Sequence, residues 1–174
     1  MKELLLLRHA KSSWDDPSLD DFDRPLAPRG KKAAQRMGRE MAAAGWIPER
    51  VLASPAMRTR LTWLRVMAEL GESAPIADYD YSLYMASAET ILTVIRTVPE
   101  EVSRLLVLGH NPGLQEAALG LAGPGSKKEP LGRLRAKFPT AAVARFTVDG
   151  LWSELGFGAA RLTHFVRPSD LGQG

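Results

Sequence analysis

Three short apolar runs in this chain end on residues suited to an anion. Residues 4–7 run into Arg8-His9. Residues 51–53 run into Ser54-Pro55, with Arg58 in the next helical turn. Residues 105–108 run into Gly109-His110 and then Asn111-Pro112. A guanidinium presents a planar fork that matches phosphate oxygens. Imidazole attacks phosphorus only when neutral, and neighbouring positive charge disfavours the imidazolium. Arg8, Arg58 and two helix N-termini aimed at the same edge would keep His9 neutral and hold the oxygens of a phosphoryl group in transfer. The first turn of a helix disfavours a cation, and a phosphate between Arg58 and the helix end removes that conflict. Singly, each residue has a plain alternative: a structural histidine, a surface ion-pair partner, an ordinary helix arginine. Their shared position at strand ends is what joins them.

Those ends meet only if the runs are neighbouring parallel strands. Residues 4–7 are continuously apolar, as in a strand covered on both faces. A polar loop rich in Asp and Pro follows over 11–28. Residues 29–44 have helical spacing through Ala33, Met37, Met41 and Ala44, with Gly45 as the stop. Residues 51–53 read as a strand. Ser54-Pro55 then opens a helix to about Leu70, with Ser54 as N-cap and Pro at the first position. A third strand is expected near Ile76, and a helix over 89–97 carries Ile91, Leu92 and Ile95. Residues 105–108 form another buried strand. Asn111-Pro112 repeats the cap-then-proline pattern and starts a helix through Leu121. Residues 123–139 read as a basic loop. Residues 141–148 and 160–166 read as late strands, the second with Leu162, His164 and Val166 on one face. Neither a repeat nor a linker appears, so one domain over 1–174 is expected. The alternation predicts a three-layer α/β/α sandwich with a mainly parallel central sheet, whose strand ends share the ligand-binding edge.

Composition narrows the chemistry. The 174 residues are 45% hydrophobic and 25% charged, which suits a globular core rather than disorder. There are no cysteines, which removes disulfides, thiolate zinc sites and cysteine nucleophiles, and favours a reducing cytoplasm. The opening residues are too short an apolar stretch for a signal peptide, and no run approaches a membrane span. The net charge is +3. The only loose basic group is Lys127, Lys128, Arg133, Arg135 and Lys137, without the interleaved aromatics of a nucleic-acid surface. Neither a nucleic-acid partner nor a membrane is expected.

The ordered motifs resemble those of a known family. Leu6-Leu-Arg-His-Ala10 is similar to the Arg-His signature of the histidine phosphatase superfamily, which includes the phosphoglycerate mutases. Leu26-Ala-Pro-Arg-Gly30 resembles its Leu-x-x-x-Gly helix entry, Ala53-Ser-Pro-Ala-Met-Arg58-Thr its phosphate pocket, and Leu108-Gly-His-Asn-Pro112 its second-histidine motif. Arg8-His-Ala-Lys-Ser12, Asp23-Arg-Pro-Leu26, Lys137-Phe-Pro-Thr140 and Trp152 are similar to the small bacterial phosphohistidine phosphatases of the SixA type. The resemblance implies a phosphoglycerate mutase-like fold. It also implies His9 as nucleophile, Arg8, Arg58 and His110 as phosphate ligands, and no cofactor. The implied partner is a protein phosphorylated on histidine, or else a small phosphorylated substrate.

Ester-cleaving members of the superfamily usually add an acidic proton donor between the Ser-Pro helix and the second histidine. Asp78 and Asp80 are the candidates there, with a plain role as loop carboxylates equally open. An absent acid is tolerable for a phosphoramidate, whose leaving nitrogen can be protonated beforehand, and costly for an alkyl ester. Three other readings compete. A phosphomonoesterase of small metabolites needs an acid and a shaped pocket, which only 11–28 and 123–139 could help build. A zinc site on His9, His110 and His164 lacks close ligand spacing, and the arginines oppose a cation. A non-catalytic phosphoprotein or nucleic-acid binder has no need to keep both histidines with both arginines.

Overall fold

The computed structural model describes residues 1–172. Its strands are β1 (Lys2–Arg8), β2 (Arg50–Ala53), β3 (Asp78–Tyr79), β4 (Arg104–Gly109), β5 (Val143–Val148) and β6 (Ala160–Val166). Its helices are α1 (Pro28–Ala44), α2 (Met57–Leu70), α3 (Ala88–Ile95), α4 (Gly113–Leu121) and α5 (Lys128–Ala136). The sheet order is β3-β2-β4-β1-β5-β6, and β5 alone runs against the other strands.

The two faces of β1 explain the layers. Side chains alternate across a strand. Leu4 and Leu6 therefore join Leu52, Leu105 and Val107 beneath α3, α4 and α5, while Leu5 and Leu7 join Val51, Ala53, Leu106 and Leu108 beneath α1 and α2. All four leucines of β1 are fully buried. Each contributes roughly 1.5–3 kcal/mol by leaving water. The three-layer α/β/α arrangement with a mainly parallel sheet is thus present.

α1 ends at Gly45 in the left-handed conformation, at φ 76°, as its position predicted. Its buried face is Ala34, Met37, Gly38 and Met41, so Ala33 is only partly covered and Ala44 is exposed. Gly30 explains the Leu-x-x-x-Gly spacing. A Cβ there would stand 2.1 Å from the Lys11 carbonyl oxygen, two residues beyond His9. Gly30→Ala should therefore push the loop away from α1 and cost about 1–3 kcal/mol, by analogy with other overpacked sites. Thermal denaturation should show this as a loss of several degrees. An unchanged melting temperature would mean that the loop yields without cost.

Four expectations are corrected. Ser54 is not an N-cap: α2 begins at Met57 after Ala56, and Ser54 faces the site instead. The third strand lies at Asp78–Tyr79, and Ile76 is 80% exposed. Residues 123–139 are not a loop throughout, since α5 occupies Lys128–Ala136 with Pro130 and Leu134 buried. Pro130 lies in the first turn, where the missing N–H costs little. In β6 the pairing jumps from Arg145↔His164 to Phe146↔Leu162, leaving Thr163 unpaired. This bulge breaks the alternation. Leu162 and Phe165 face one core, whereas Val166 packs on the other.

Candidate active site

β1, β4 and β2 are adjacent and parallel, so Arg8-His9, Gly109-His110 and Ser54 emerge side by side at one sheet edge. The strand ends are tied down by hydrogen bonds. The His9 N–H donates to the Gly109 carbonyl at 3.2 Å, and the Ala141 N–H donates to the carbonyls of Arg8 and His9 at 3.1 Å. The Ala10 N–H donates to Thr62 Oγ1 on α2 at 2.9 Å. The edge is therefore held from both sides of the sheet.

Arg8, His9, Arg58 and His110 all line one pocket of about 280 Å³. The His9 and His110 ring centroids are 5.2 Å apart. His9 Nδ1 lies 2.8 Å from the Ala10 carbonyl, which can only accept, so Nδ1 carries the proton and Nε2 keeps its lone pair. The Nδ1 of His110 lies 3.3 Å from Arg58 Nη2, which can only donate. His110 Nε2 therefore donates to Ser54 Oγ at 2.7 Å. Both nitrogens of His110 have partners, and a phosphoryl oxygen must displace one of them to be bound there.

The arginines are held from behind. Arg8 donates through Nη1 to the Phe138 carbonyl at 3.0 Å. Arg58, only 3% exposed, donates through Nη1 to the Asp21 carbonyl at 2.7 Å and through Nη2 to Asp21 Oδ2 at 3.0 Å. The Nε groups of both arginines are buried without a hydrogen-bond partner. A buried donor left unpaired is costly.

Burial pushes the pKa of His9 down to about 3, with His110, Arg58 and Arg8 adding to the effect and the Ala10 carbonyl opposing it. Burial and then Arg58 likewise push His110 down to about 3, against the Asp21 carboxylate. Both imidazoles are thus neutral at physiological pH. The unfolded chain takes up protons on them near pH 6.5. Between about 6.5 and 3 the unfolded state holds the extra protons, so stability rises with pH across that window. Denaturation midpoints should fall as pH drops from about 6.5 toward 4, and His9→Asn should flatten the slope. A pH-independent midpoint would contradict the neutral state.

The carboxylates are not where the sequence pointed. Asp78 on β3 pairs with Arg50, Nε to Oδ2, at 2.6 Å. Asp80 caps a short turn by accepting from Ser82 N at 2.9 Å and Ser82 Oγ at 2.6 Å. Neither lines the pocket. The pocket's carboxylate is Asp21, which the sequence reading overlooked although it stands two residues before the quoted Asp23-Arg-Pro-Leu26 motif. Burial works to raise its pKa, yet Tyr84, Arg24 and Arg58 together hold it well below the usual carboxylate range. Arg24 also lines the pocket. It donates to Ser12 Oγ at 2.6 Å and stacks over Trp14 at 3.5 Å. His164, the third histidine, lies elsewhere, with its ring 5.1 Å from that of Trp46.

Comparison with known proteins places the chain in a family. Residues 4–80 match the model of the histidine phosphatase superfamily (branch 1). An uncharacterized protein of Mycobacterium leprae is 36% identical over 171 residues, covering 93% of this chain and 99% of that one. Among solved structures, a SixA-named protein from Nakamurella multipartitia is 30% identical with a TM-score of 0.79, covering 96% of each chain. Another from Agrobacterium tumefaciens is 28% identical with a TM-score of 0.80, covering 96% of this chain and 98% of that one. The protein belongs to the histidine phosphatase superfamily and is a phosphatase of that class. Within the superfamily it is of the SixA type.

Proposed function

We propose that the protein hydrolyses phosphohistidine on a partner protein, with His9 as nucleophile and no metal ion. The observation that carries this reading is the missing proton donor. Among the described residues, Asp21 is the only carboxylate lining the pocket, and it is ionised and already accepts from Arg24, Arg58 and Tyr84.

The chemistry balances without an acid. The lone pair on His9 Nε2 attacks phosphorus as the bond to the substrate nitrogen breaks. A substrate imidazole protonated on its other nitrogen departs neutral, taking the bonding pair. His9 then carries the phosphoryl group on Nε2 and a proton on Nδ1. Water attacks phosphorus, the Nε2–P bond breaks, and both protons of the water leave on inorganic phosphate. His9 returns to its starting tautomer. An imidazole is the leaving group in both steps, so a site competent for the second is competent for the first. An alkoxide leaving from an ester needs a proton that nothing here supplies.

Arg8, Arg58 and, after exchange of a partner, His110 would hold the phosphoryl oxygens. Their cations occupy the place that a divalent metal takes in other phosphatases, which supports a metal-independent reaction. A cytoplasmic protein partner fits a chain without cysteine, and no described helix is long and apolar enough to cross a membrane.

The test is phosphate release from a phosphohistidine peptide beside a panel of phosphate monoesters, with and without EDTA. Turnover should favour the peptide and be unaffected by chelation. Preference for an alkyl ester, or loss with EDTA that a divalent metal restores, would overturn the reading.

A further inference from the structure

We infer that the carboxylate of Asp21 is a specificity-determining group, favouring phosphoryl compounds whose leaving group carries positive charge and disfavouring those with a second anion beside the phosphate. The inference deepens the phosphohistidine reading and rests on it for the substrate class.

Without Asp21, the charged lining of the pocket would be Arg8, Lys11, Arg24 and Arg58, together with neutral His9 and His110. Such a pocket would bind the most anionic phosphate best. Asp21 interrupts that field at a fixed place. Its Oδ1 accepts from Arg24 Nε at 3.2 Å and Nη2 at 2.9 Å. Its Oδ2 accepts from Arg58 Nη2 at 3.0 Å and Tyr84 Oη at 2.5 Å. Four donors leave the carboxylate no freedom to turn away and no proton to give. Its effect on a substrate is therefore one of charge.

The leaving group must pass this charge. In-line transfer places the leaving atom opposite His9 Nε2. His9 is 7% exposed and forms the floor, so the leaving group points toward the mouth. One wall of that mouth is the segment carrying Lys11, Ser12, Trp14, Asp21 and Arg24. From 11 to 23 this segment holds one cation, Lys11, against Asp15, Asp16, Asp20, Asp21 and Asp23. The four other aspartates are exposed and add the same sign. A protonated phosphoramidate meets attraction here, and a carboxylate next to the phosphate meets repulsion. At a separation of about 7 Å and an effective dielectric near 30, one unit charge is worth about tenfold in binding, so Asp21 shifts the ratio between ligands with a positive and a negative second group by about 10², against the opposite preference of the surrounding cations.

The experiment uses two small monoesters that differ in the sign of their second group, phosphoethanolamine and phosphoglycolate, bound to the whole protein in a titration calorimeter at low salt. The wild type should bind phosphoethanolamine about tenfold more tightly. Asp21→Asn should reverse the order to about tenfold in favour of phosphoglycolate, chiefly by tightening it, and Asp21→Glu should restore the wild-type preference. Raising the salt should shrink the wild-type ratio. A ratio unchanged by Asp21→Asn, a wild type without preference, or no binding of either ester overturns the inference. The arm with a phosphohistidine peptide is scored separately. Preference for the ammonium ester without hydrolysis of the peptide would sink the substrate reading and leave the role of Asp21 standing. Hydrolysis of the peptide with an unaltered ratio would do the reverse.

Discussion

His9→Ala should abolish turnover, with a fall of roughly 10³–10⁶, the scale on which loss of a nucleophile is felt when the rest of the site survives. Three features make the effect large. His9 Nε2 is the free lone pair that the Ala10 hydrogen bond leaves in the pocket. His110, the neighbouring imidazole, has both nitrogens engaged and cannot readily replace it. The chain has no cysteine to serve instead. The fold should persist, because the strand ends are tied through backbone groups that the substitution leaves in place. Rapid quenching with labelled substrate should trap an acid-labile, alkali-stable phosphohistidine in the wild type and none in the variant. The rate should hold well below pH 6.5 as far as His9 governs it, since its pKa lies at about 3. Near-normal turnover by His9→Ala, or net inversion at phosphorus, would remove His9 from its role.

Arg58→Met should lower kcat/KM by about 10²–10³, the usual consequence of losing one preorganised donor to a developing anion. Arg58→Lys should fare little better. Lysine keeps the charge but loses the planar fork, which here reaches Asp21 through Nη1 and Nη2 and His110 through Nη2. Stability should move the other way. Burial, and after it the charge of Arg58, lowers the pKa of Arg8, so the two cations oppose each other in the folded chain. Methionine relieves that repulsion while keeping volume, and Asp21 keeps Arg24 and Tyr84 as donors. The melting temperature of Arg58→Met should therefore equal or exceed that of the wild type. A variant that loses activity only because it unfolds would show that Arg58 is structural, and near-wild-type kinetics for Arg58→Lys would show that its fork is unused.

Much of this protein was determined by local sequence. The runs at 4–7, 51–53 and 105–108 are apolar at every position, and only a sheet covered on both faces buries them fully. Once those strands are parallel and adjacent, Arg8, His9, Ser54 and His110 must arrive at one edge, whatever the loops do. Gly45 ended α1 because the left-handed turn suits a residue without Cβ. These features depend on neighbours a few residues away, and the spacing records them.

Other features depended on partners distant in sequence, and only the tertiary structure decided them. The bulge at Thr163 is a mismatch between β6 and β5, so neither strand alone reveals that Leu162 and Val166 part company. α5 forms across Pro130 and Gly132 because Leu134, with Leu131 beside it, finds a core to cover, which outweighs weak helix propensity. Ser54 fits the N-cap pattern, yet His110, fifty-six residues away, takes its hydroxyl. The choice of carboxylate was settled in the same way. Asp78, Asp80 and Asp21 are alike as residues in polar segments. Asp78 faces Arg50 and Asp80 closes its own turn, while Asp21 meets Arg58 from α2, Tyr84 from the turn after β3, and Arg24 from its own loop. The charge a carboxylate carries, and what it can do with it, follow from those donors, and two of the three come from elsewhere in the chain.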